Sequence, residues 1–212
     1  MPGSKARTKE RRPPGPLQVA VLLTENQIVS ELRAALVRRE LPERYSYWFP
    51  ISVRAWLDLC SDGAYRNYLR SRGLVDAHAP ELAQAALREA GGGLEVISLG
   101  AGQADKDMSV VRALRAAGAV PSYRPVDASQ MLLELACAAA ADAGVVCEAV
   151  KADLSVPAHV AAIDGMRDGR PALWLLLGNT LGAFDPGRLC AELRRVVRRR
   201  DSLLLDAEIF DG

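Results

Sequence analysis

Glycines and polar side chains follow several apolar segments of the chain, and their types suit a nucleotide-binding site. Gly100-Ala101-Gly102 directly follows the apolar segment 94–99. Paired glycines let a backbone approach a ligand closely, but ordinary turns also need glycine, so the pair alone leaves both interpretations open. A dinucleotide fingerprint would need a third glycine where this chain has Asp105. An acidic residue competes with a pyrophosphate for the positive end of a helix. We therefore expect a ligand with adenosine but without phosphate, which argues against a nicotinamide oxidoreductase.

Two aspartates follow the next two apolar segments. Asp127 lies about 20 residues beyond the glycines, where nucleotide-binding folds hold ribose hydroxyls. A helix N-cap is the alternative for Asp127, but Ser129 suits that position better, so we favour ribose binding. Asp153 precedes Leu154, and such a pair can bind the adenine amino group and cover its ring. For Asp153 alone, a solvated loop aspartate is an equally good interpretation.

A polar turn, Gly178-Asn179-Thr180-Leu181-Gly182, follows the most apolar segment of the chain, 172–177. After a central strand of a parallel sheet, such a turn faces the ligand. A plain loop that leads into a helix at Pro186 is the alternative. We take Asn179 and Thr180 as candidate substrate contacts.

The sequence offers no arrangement of side chains for metal binding or for a nucleophilic triad. His78 and His159 have no partners at metal-ligand spacing, and the four cysteines form no CxxC motif. We predict no metal site, leave the catalytic residue unassigned, and interpret the cysteines as reduced packing residues.

The elements that must position these residues alternate along the second half of the chain. Strands are predicted for the apolar segments 94–99, 123–127, 145–150, 172–177 and 202–205, with helices between them. Strands joined by helices form a parallel sheet with right-handed crossovers, and ligands bind beyond its carboxyl edge. We predict a doubly wound α/β domain of about five parallel strands over residues 94–212.

The first half of the chain has a different pattern. Residues 1–16 are rich in Lys, Arg and Pro, which predicts a disordered basic tail. Residues 17–93 are predicted to form a helical N-terminal segment. Its first helix begins at a capping box of Thr24 and Gln27, and its third begins near Pro80.

The composition of the whole chain excludes several classes of partner. The 212 residues carry a net charge of +1 and only 5% aromatic residues, so we expect no nucleic acid partner. The longest apolar run is too short to span a bilayer, and no export signal is evident. We therefore predict a cytoplasmic protein that acts on a small molecule and binds no membrane.

Three segments, 99–106, 125–129 and 178–182, together resemble those of the S-adenosyl-L-methionine (SAM)-dependent histidine-specific methyltransferase family. This family includes ergothioneine-pathway histidine Nα-methyltransferases. The resemblance implies the Rossmann-like fold of class I methyltransferases and SAM as cofactor. It also implies methyl transfer to the nitrogen of an amino acid or another small amine.

Residue roles follow from the same resemblance. The implied cofactor contacts are Gly100, Gly102 and Lys106 at the aminoacyl end, Asp127 at the ribose, Asp153 and Leu154 at the adenine, and Tyr47 over the cofactor. Lys106 would hold the cofactor carboxylate, and Tyr65 would face the substrate amine. Both tyrosines also suit a packing role in the helical segment.

The chain departs from the family pattern in two places. Ala183 stands where the family has a substrate-binding asparagine, and the chain ends before the C-terminal strands of class I methyltransferases. We therefore expect a C-terminally truncated member with an open sheet edge that a partner chain could cover. The alternative hypothesis is a catalytically inactive or incomplete SAM-binding relative with a binding or structural role.

Overall fold

A computed structural model describes residues 18–207 of the chain, without the side chains of residues 43 and 44. The predicted basic tail, residues 1–16, lies outside the described residues. The helices and strands are, in chain order, β1 (Val19–Val21), α1 (Glu25–Arg38), α2 (Pro50–Ser61), α3 (Arg66–Ala90), β2 (Glu95–Leu99), α4 (Asp105–Ala116), β3 (Ser122–Asp127), α5 (Gln130–Asp142), β4 (Ala149–Lys151), α6 (Pro157–Gly165), β5 (Ala172–Leu176), α7 (Pro186–Val196) and β6 (Ser202–Leu205). Short 3-10 helices lie at Glu43–Tyr47 and Thr180–Ala183.

The strands form one parallel sheet in the order β1-β4-β3-β2-β5-β6. The order reverses at β2, which lies between β3 and β5, so the predicted doubly wound sheet is confirmed. The sheet has a sixth described strand because Val19–Val21 pairs with β4. This strand lies in the segment predicted to be helical. Such a short apolar run forms a strand only if it can pair with the edge of a sheet, and the local sequence does not show that the edge at β4 is open to it.

Helices cover both faces of the sheet. Buried side chains of α3, α4 and α5 pack against Val96 and Leu173 on one face. Those of α6 and α7 pack against Ile97 and Trp174 on the other. Burial on both faces explains why β5 is apolar at every position, without the alternation of a half-exposed strand. The strand β2 is buried throughout as well, although it carries Glu95 and Ser98.

The helical segment starts as predicted and then departs from the prediction at Pro80. Thr24 and Gln27 form the capping box of α1. However, α3 begins at Arg66 and continues through Pro80, which we had expected at a helix start. Proline removes one helical hydrogen bond. Val75 before it and Ala83 after it are both buried in the core shared with α4, and this packing holds the helix together across the proline.

Pro125 lies inside β3, and the ladder to β4 is interrupted opposite it. Tyr123 bridges Cys147, and regular pairing resumes at Val126 with Val150. Proline has no N–H to donate to the ladder. The segment 145–148, which comes before the interruption, is therefore not part of the regular strand β4. The strand β4 is therefore shorter than the predicted segment 145–150.

No helix within residues 18–207 is both long enough and apolar enough to cross a membrane.

Candidate functional site

The carboxyl ends of β2, β3, β4 and β5 surround one cavity of about 230 Å³, which also extends under the helical segment. All ten site residues selected from the sequence line this cavity: Tyr47, Tyr65, Gly100, Gly102, Lys106, Asp127, Asp153, Leu154, Asn179 and Thr180. They meet because parallel strands end at a common edge of the sheet, on either side of the point where the strand order reverses.

The two glycines after β2 are required by contacts within the protein. Gly100 has φ +73°, and a Cβ there would lie 2.7 Å from Thr180 Cγ2. Gly102 has φ +55°, and a Cβ there would lie 3.1 Å from Trp56 Cη2. The loop therefore packs directly against the turn after β5 and against α2. A larger side chain at either position would also enter the cavity that these neighbours line.

Asp127 is buried at the end of β3 with both carboxylate oxygens held by backbone. Gly102 N–H donates to its Oδ2 at 3.1 Å, and Ser129 N–H donates to its Oδ1 at 2.9 Å. Ser129 is the N-cap of α5, so the capping alternative for Asp127 does not apply. Burial, which outweighs these hydrogen bonds, raises the pKa of Asp127 to about 6. The carboxylate is thus fixed in place and faces the cavity.

Lys106 is buried in the first turn of α4, and side chains from two distant elements hold its ammonium. Nζ donates to Asp206 Oδ2 at 3.0 Å and to Ser71 Oγ at 2.9 Å. Asp206 Oδ1 also accepts the backbone N–H of Asn179 at 3.0 Å. Neither Ser71 nor Asp206 was predicted from the sequence as a site residue. Asp206 follows β6 directly, and its position at another strand end was the available signal.

Asp153 is only 2% exposed, so the solvated-loop alternative is wrong. Its Oδ1 accepts the backbone N–H of Ser155 at 2.7 Å, and its own N–H donates to His159 Nδ1 at 3.1 Å. These contacts fix the loop after β4. Leu154 is buried beside it and also lines the cavity.

Polar groups of the turn after β5 form hydrogen bonds with other groups of the protein. Asn179 adopts a left-handed conformation with φ +58°. The Thr180 hydroxyl donates to the carbonyl of Leu177 at 2.6 Å. Ala183 and Phe184 line the cavity next to this turn.

Aromatic side chains from the helical segment form one wall of the cavity. The chain has five tyrosines and three tryptophans. Of these, the cavity is lined by Tyr47, Trp48, Trp56, Tyr65 and Tyr68. Tyr47 meets Trp56 edge-on at 6.1 Å, and Tyr65 stacks on Tyr68 at 6.0 Å. Aromatic faces attract cations, so this wall suits a positively charged ligand.

Three members of this wall, Trp48, Trp56 and Tyr68, were missed because aromatic residues in a helical segment look like packing residues. The Trp48 side chain is buried, and its indole N–H has no hydrogen-bond partner among the described residues. Buried polar groups normally find a partner, so the indole N–H of Trp48 is an exception among the described residues.

The start of α4 is tied to α3. The Tyr68 hydroxyl donates to Asp105 Oδ2 at 3.0 Å and accepts from Gln103 Nε2 at 2.6 Å. Arg72 also contacts Asp105, at 3.2 Å. Burial raises the pKa of Tyr68 to about 12, so the phenol stays protonated.

A third buried carboxylate, Asp107, lines the cavity next to Lys106, and the sequence did not indicate it as a site residue. It accepts the hydroxyl of Tyr123, and burial raises its pKa to about 6. Asp107 and Asp127 are both buried, and both line the cavity. Together with the aromatic wall, they favour a ligand that carries positive charge.

No group of side chains within residues 18–207 is arranged to bind a metal ion.

The family model described as "Histidine-specific methyltransferase, SAM-dependent" matches residues 24–208 of the chain. The chain is similar to the structure of the plantazolicin methyltransferase BpumL in complex with SAH, at 12% identity and a TM-score of 0.46, over 81% of this chain and 58% of that one. It is also similar to a proposed S-adenosyl-L-methionine-dependent methyltransferase from Methanococcus maripaludis, at 21% identity and a TM-score of 0.42, over 63% of this chain and 57% of that one. The chain thus spans less than two thirds of either protein. No curated protein sequence matches the chain.

Proposed function

The chain belongs to the SAM-dependent histidine-specific methyltransferase family, and from this membership we propose that it methylates a nitrogen of an amino acid or another small amine. The observation that carries the proposal is the single cavity at the carboxyl edge of the sheet, where the candidate cofactor and substrate residues meet. In this proposal residues 94–212 form most of the SAM-binding domain, β1 adds an edge strand to its sheet, and α2 and α3 of the segment 17–93 line its cavity.

The side chains present suit each part of the cofactor. Asp127 has both oxygens anchored by backbone N–H groups and retains lone pairs for ribose hydroxyls. An ammonium has three donors, of which Lys106 gives two to Ser71 and Asp206, leaving one for the cofactor carboxylate. Asp153 and Leu154 bind the adenine amino group and cover its ring, Gly100 and Gly102 admit the aminoacyl end, and Tyr47 lies over the cofactor.

When bound, SAM would supply an electrophilic methyl group, which the lone pair of an unprotonated amine would attack in line while SAH leaves as a neutral thioether. The protein therefore has to align the acceptor and exclude water, and it needs no nucleophile of its own. The aromatic wall supports an amine acceptor, because ring faces attract its cationic form on entry and shield the site from solvent. The ammonium would lose its proton to solvent before its lone pair attacks. Tyr65, Asn179 and Thr180 contact the acceptor, and no catalytic residue is assigned.

One residue beside the turn after β5 bears on the identity of the acceptor. Ala183 lines the cavity where the family pattern has an amide side chain. An alanine cannot form hydrogen bonds with a bound amino acid through its side chain. We propose that the acceptor is an amine whose recognition differs from that of histidine.

We further propose a cytoplasmic protein with no nucleic acid partner. A partner chain would cover the outer edge of β6. This strand pairs with β5 on one side, no strand among residues 18–207 pairs with its other side, and Leu203 and Leu205 are partly exposed. Exposed strand edges invite pairing with another chain.

The first test is calorimetric titration with SAM and with S-adenosylhomocysteine (SAH). We expect a micromolar Kd for the wild type, about −8 kcal/mol. Asp127→Asn removes a charged acceptor and should weaken binding about 10- to 100-fold. The matched control is Asp58→Asn, at an exposed position on α2, which should leave the Kd unchanged.

A folded wild-type chain that binds neither ligand would overturn the proposal. If binding is found, amines are screened by SAH formation, starting with amino acids. Binding without turnover of any amine would favour the alternative of an inactive SAM-binding relative.

A further inference from the structure

Two of the four cysteines lie against each other, away from the cavity. The Sγ atoms of Cys137 in α5 and Cys147 before β4 are 2.8 Å apart, and both thiols are free. This separation is longer than the bond length of a disulfide, about 2.05 Å, but short enough that a small movement of the two side chains would bring the sulfur atoms to bonding distance. The sequence indicated packing residues and gave no sign of the pairing, because ten positions separate the two cysteines.

Backbone contacts hold both cysteines in this arrangement. On either side of Cys147, the carbonyl of Val146 accepts the N–H of Tyr123 at 2.9 Å, and the N–H of Glu148 donates to the carbonyl of Tyr123 at 3.0 Å. Cys137 lies inside α5 and packs with Leu133. Because these contacts fix the backbone of α5 and of the segment before β4, the two sulfur atoms stay close to each other.

The surroundings also suit oxidation by a small reagent. Cys137 is buried, whereas Cys147 is partly exposed, so a small oxidant can reach the pair. The hydrogen-bonding contact with Cys147 lowers the pKa of Cys137, which favours its thiolate. Cysteines that sense oxidation are typically thiolates next to a resolving cysteine.

We propose that Cys137 and Cys147 form a reversible disulfide when the protein meets a peroxide. The Cys137 thiolate attacks one peroxide oxygen, which forms a sulfenic acid and releases hydroxide. Cys147 sulfur then attacks the Cys137 sulfur and displaces the second hydroxide. Two thiol protons and the two hydroxides become two waters, so hydrogen peroxide is reduced as the S–S bond forms.

The consequence is a covalent link between α5 and the segment that enters β4. These elements lead away from Asp127 and toward Asp153, respectively. The link constrains the unfolded chain and should raise the resistance of the protein to urea. This proposal does not depend on the proposed methyltransferase activity.

The test treats the reduced protein with hydrogen peroxide and maps its peptides by mass spectrometry without reduction. We expect a linked Cys137–Cys147 peptide, a loss of two hydrogens from the intact mass, and reversal by dithiothreitol. The urea midpoint of the wild type should rise on oxidation. Cys190→Ser, at an exposed cysteine on α7, should behave like the wild type in every readout.

In Cys147→Ser, the sulfenic acid on Cys137 should persist and react with dimedone, and the urea midpoint should not rise on oxidation. The wild-type measurement needs no variant to fold. The proposal is overturned if both cysteines of the treated wild type still react with iodoacetamide after unfolding, or if Cys190 forms the disulfide instead.

Discussion

At the scale of single residues, buried charge decides what the cavity can hold. Asp107 and Asp127 are carboxylates with raised pKa values, and Lys106 is an ammonium already paired with Asp206. An unpaired buried charge is costly, so a ligand that brings a complementary charge gains by meeting it. This balance makes ligand binding at the site sensitive to pH.

We expect the affinity for SAH to fall as the pH drops through about 6, the pKa to which burial raises Asp127. Below that pH the carboxyl is protonated and loses acceptor capacity for ribose hydroxyls, so the Kd should rise up to about tenfold per pH unit. Titrations between about pH 8 and pH 5 measure this trend. Asp127→Asn should show a flatter profile, and a parallel profile would contradict the assignment.

Loss of folding does not account for that trend at these carboxyls. A folded-state pKa raised above the unfolded value, about 3.9 for Asp, means stability that is present at low pH and lost as the pH rises through about 6. For Asp107 and Asp127, acidification from neutral pH therefore stabilises the fold while it weakens ligand binding.

At the scale of elements, the site depends on how closely the loop after β2 approaches its neighbours. Gly100 lies against Thr180 in the turn after β5, and Gly102 lies against Trp56 of α2. Glycine is favoured at these positions for two separate reasons: the positive φ of the backbone, and the lack of space for a Cβ. Gly118 has a positive φ, +88°, but no atom lies within 4 Å of a Cβ built there. It therefore separates the effect of the backbone conformation from the effect of close packing.

Gly118→Ala should cost about 1–2 kcal/mol of stability through backbone strain alone, with unchanged affinity for SAH. Gly100→Ala pays the same strain and also displaces Thr180 at the cavity wall, so it should be less stable still and bind SAH at least about tenfold more weakly. Urea unfolding and calorimetry measure the two effects. Equal behaviour of the two variants would show that close packing at Gly100 does not matter.

At the scale of the whole molecule, a buried ion pair at the amino ends of β5 and β6, away from the cavity at their carboxyl ends, joins elements from the last third of the chain. Arg167 and Asp201 side chains are each 1% exposed and meet at 2.8 Å. Asp201 also accepts the backbone N–H groups of Ala172 and Arg198, each at 2.8 Å, and the indole N–H of Trp174 at 3.2 Å. One carboxylate thus connects β5 with the segments before and after it.

Asp201→Ala removes the closest carboxylate from the buried Arg167, which keeps only the more distant Asp164 at 3.3 Å. It also leaves the N–H donors that Asp201 accepts without a partner, so it should lower the free energy of unfolding by about 3–5 kcal/mol. The matched control, Asp168→Ala, removes the partner of Arg170 from an exposed pair and should cost less than about 1 kcal/mol. Urea unfolding measures both. A small effect of Asp201→Ala would show that its neighbours and solvent compensate for the lost charge.

Local sequence determined the parts of this protein that depend on local rules. The capping box of α1, the alternation of strands and helices after residue 93, and the polar residues at strand ends all follow from periodicity and turn chemistry. Since parallel strands end at one edge, these features also predicted that Asp127, Asp153 and Asn179 would share a site.

Tertiary structure alone decided the features that join residues far apart in the chain. It placed β1 beside β4, carried α3 through Pro80, and turned Trp48 and Trp56 toward the cavity. It also paired Lys106 with Asp206 and brought Cys137 against Cys147. In each case the neighbouring sequence suits ordinary packing equally well, because the deciding energy comes from a contact that no local pattern records.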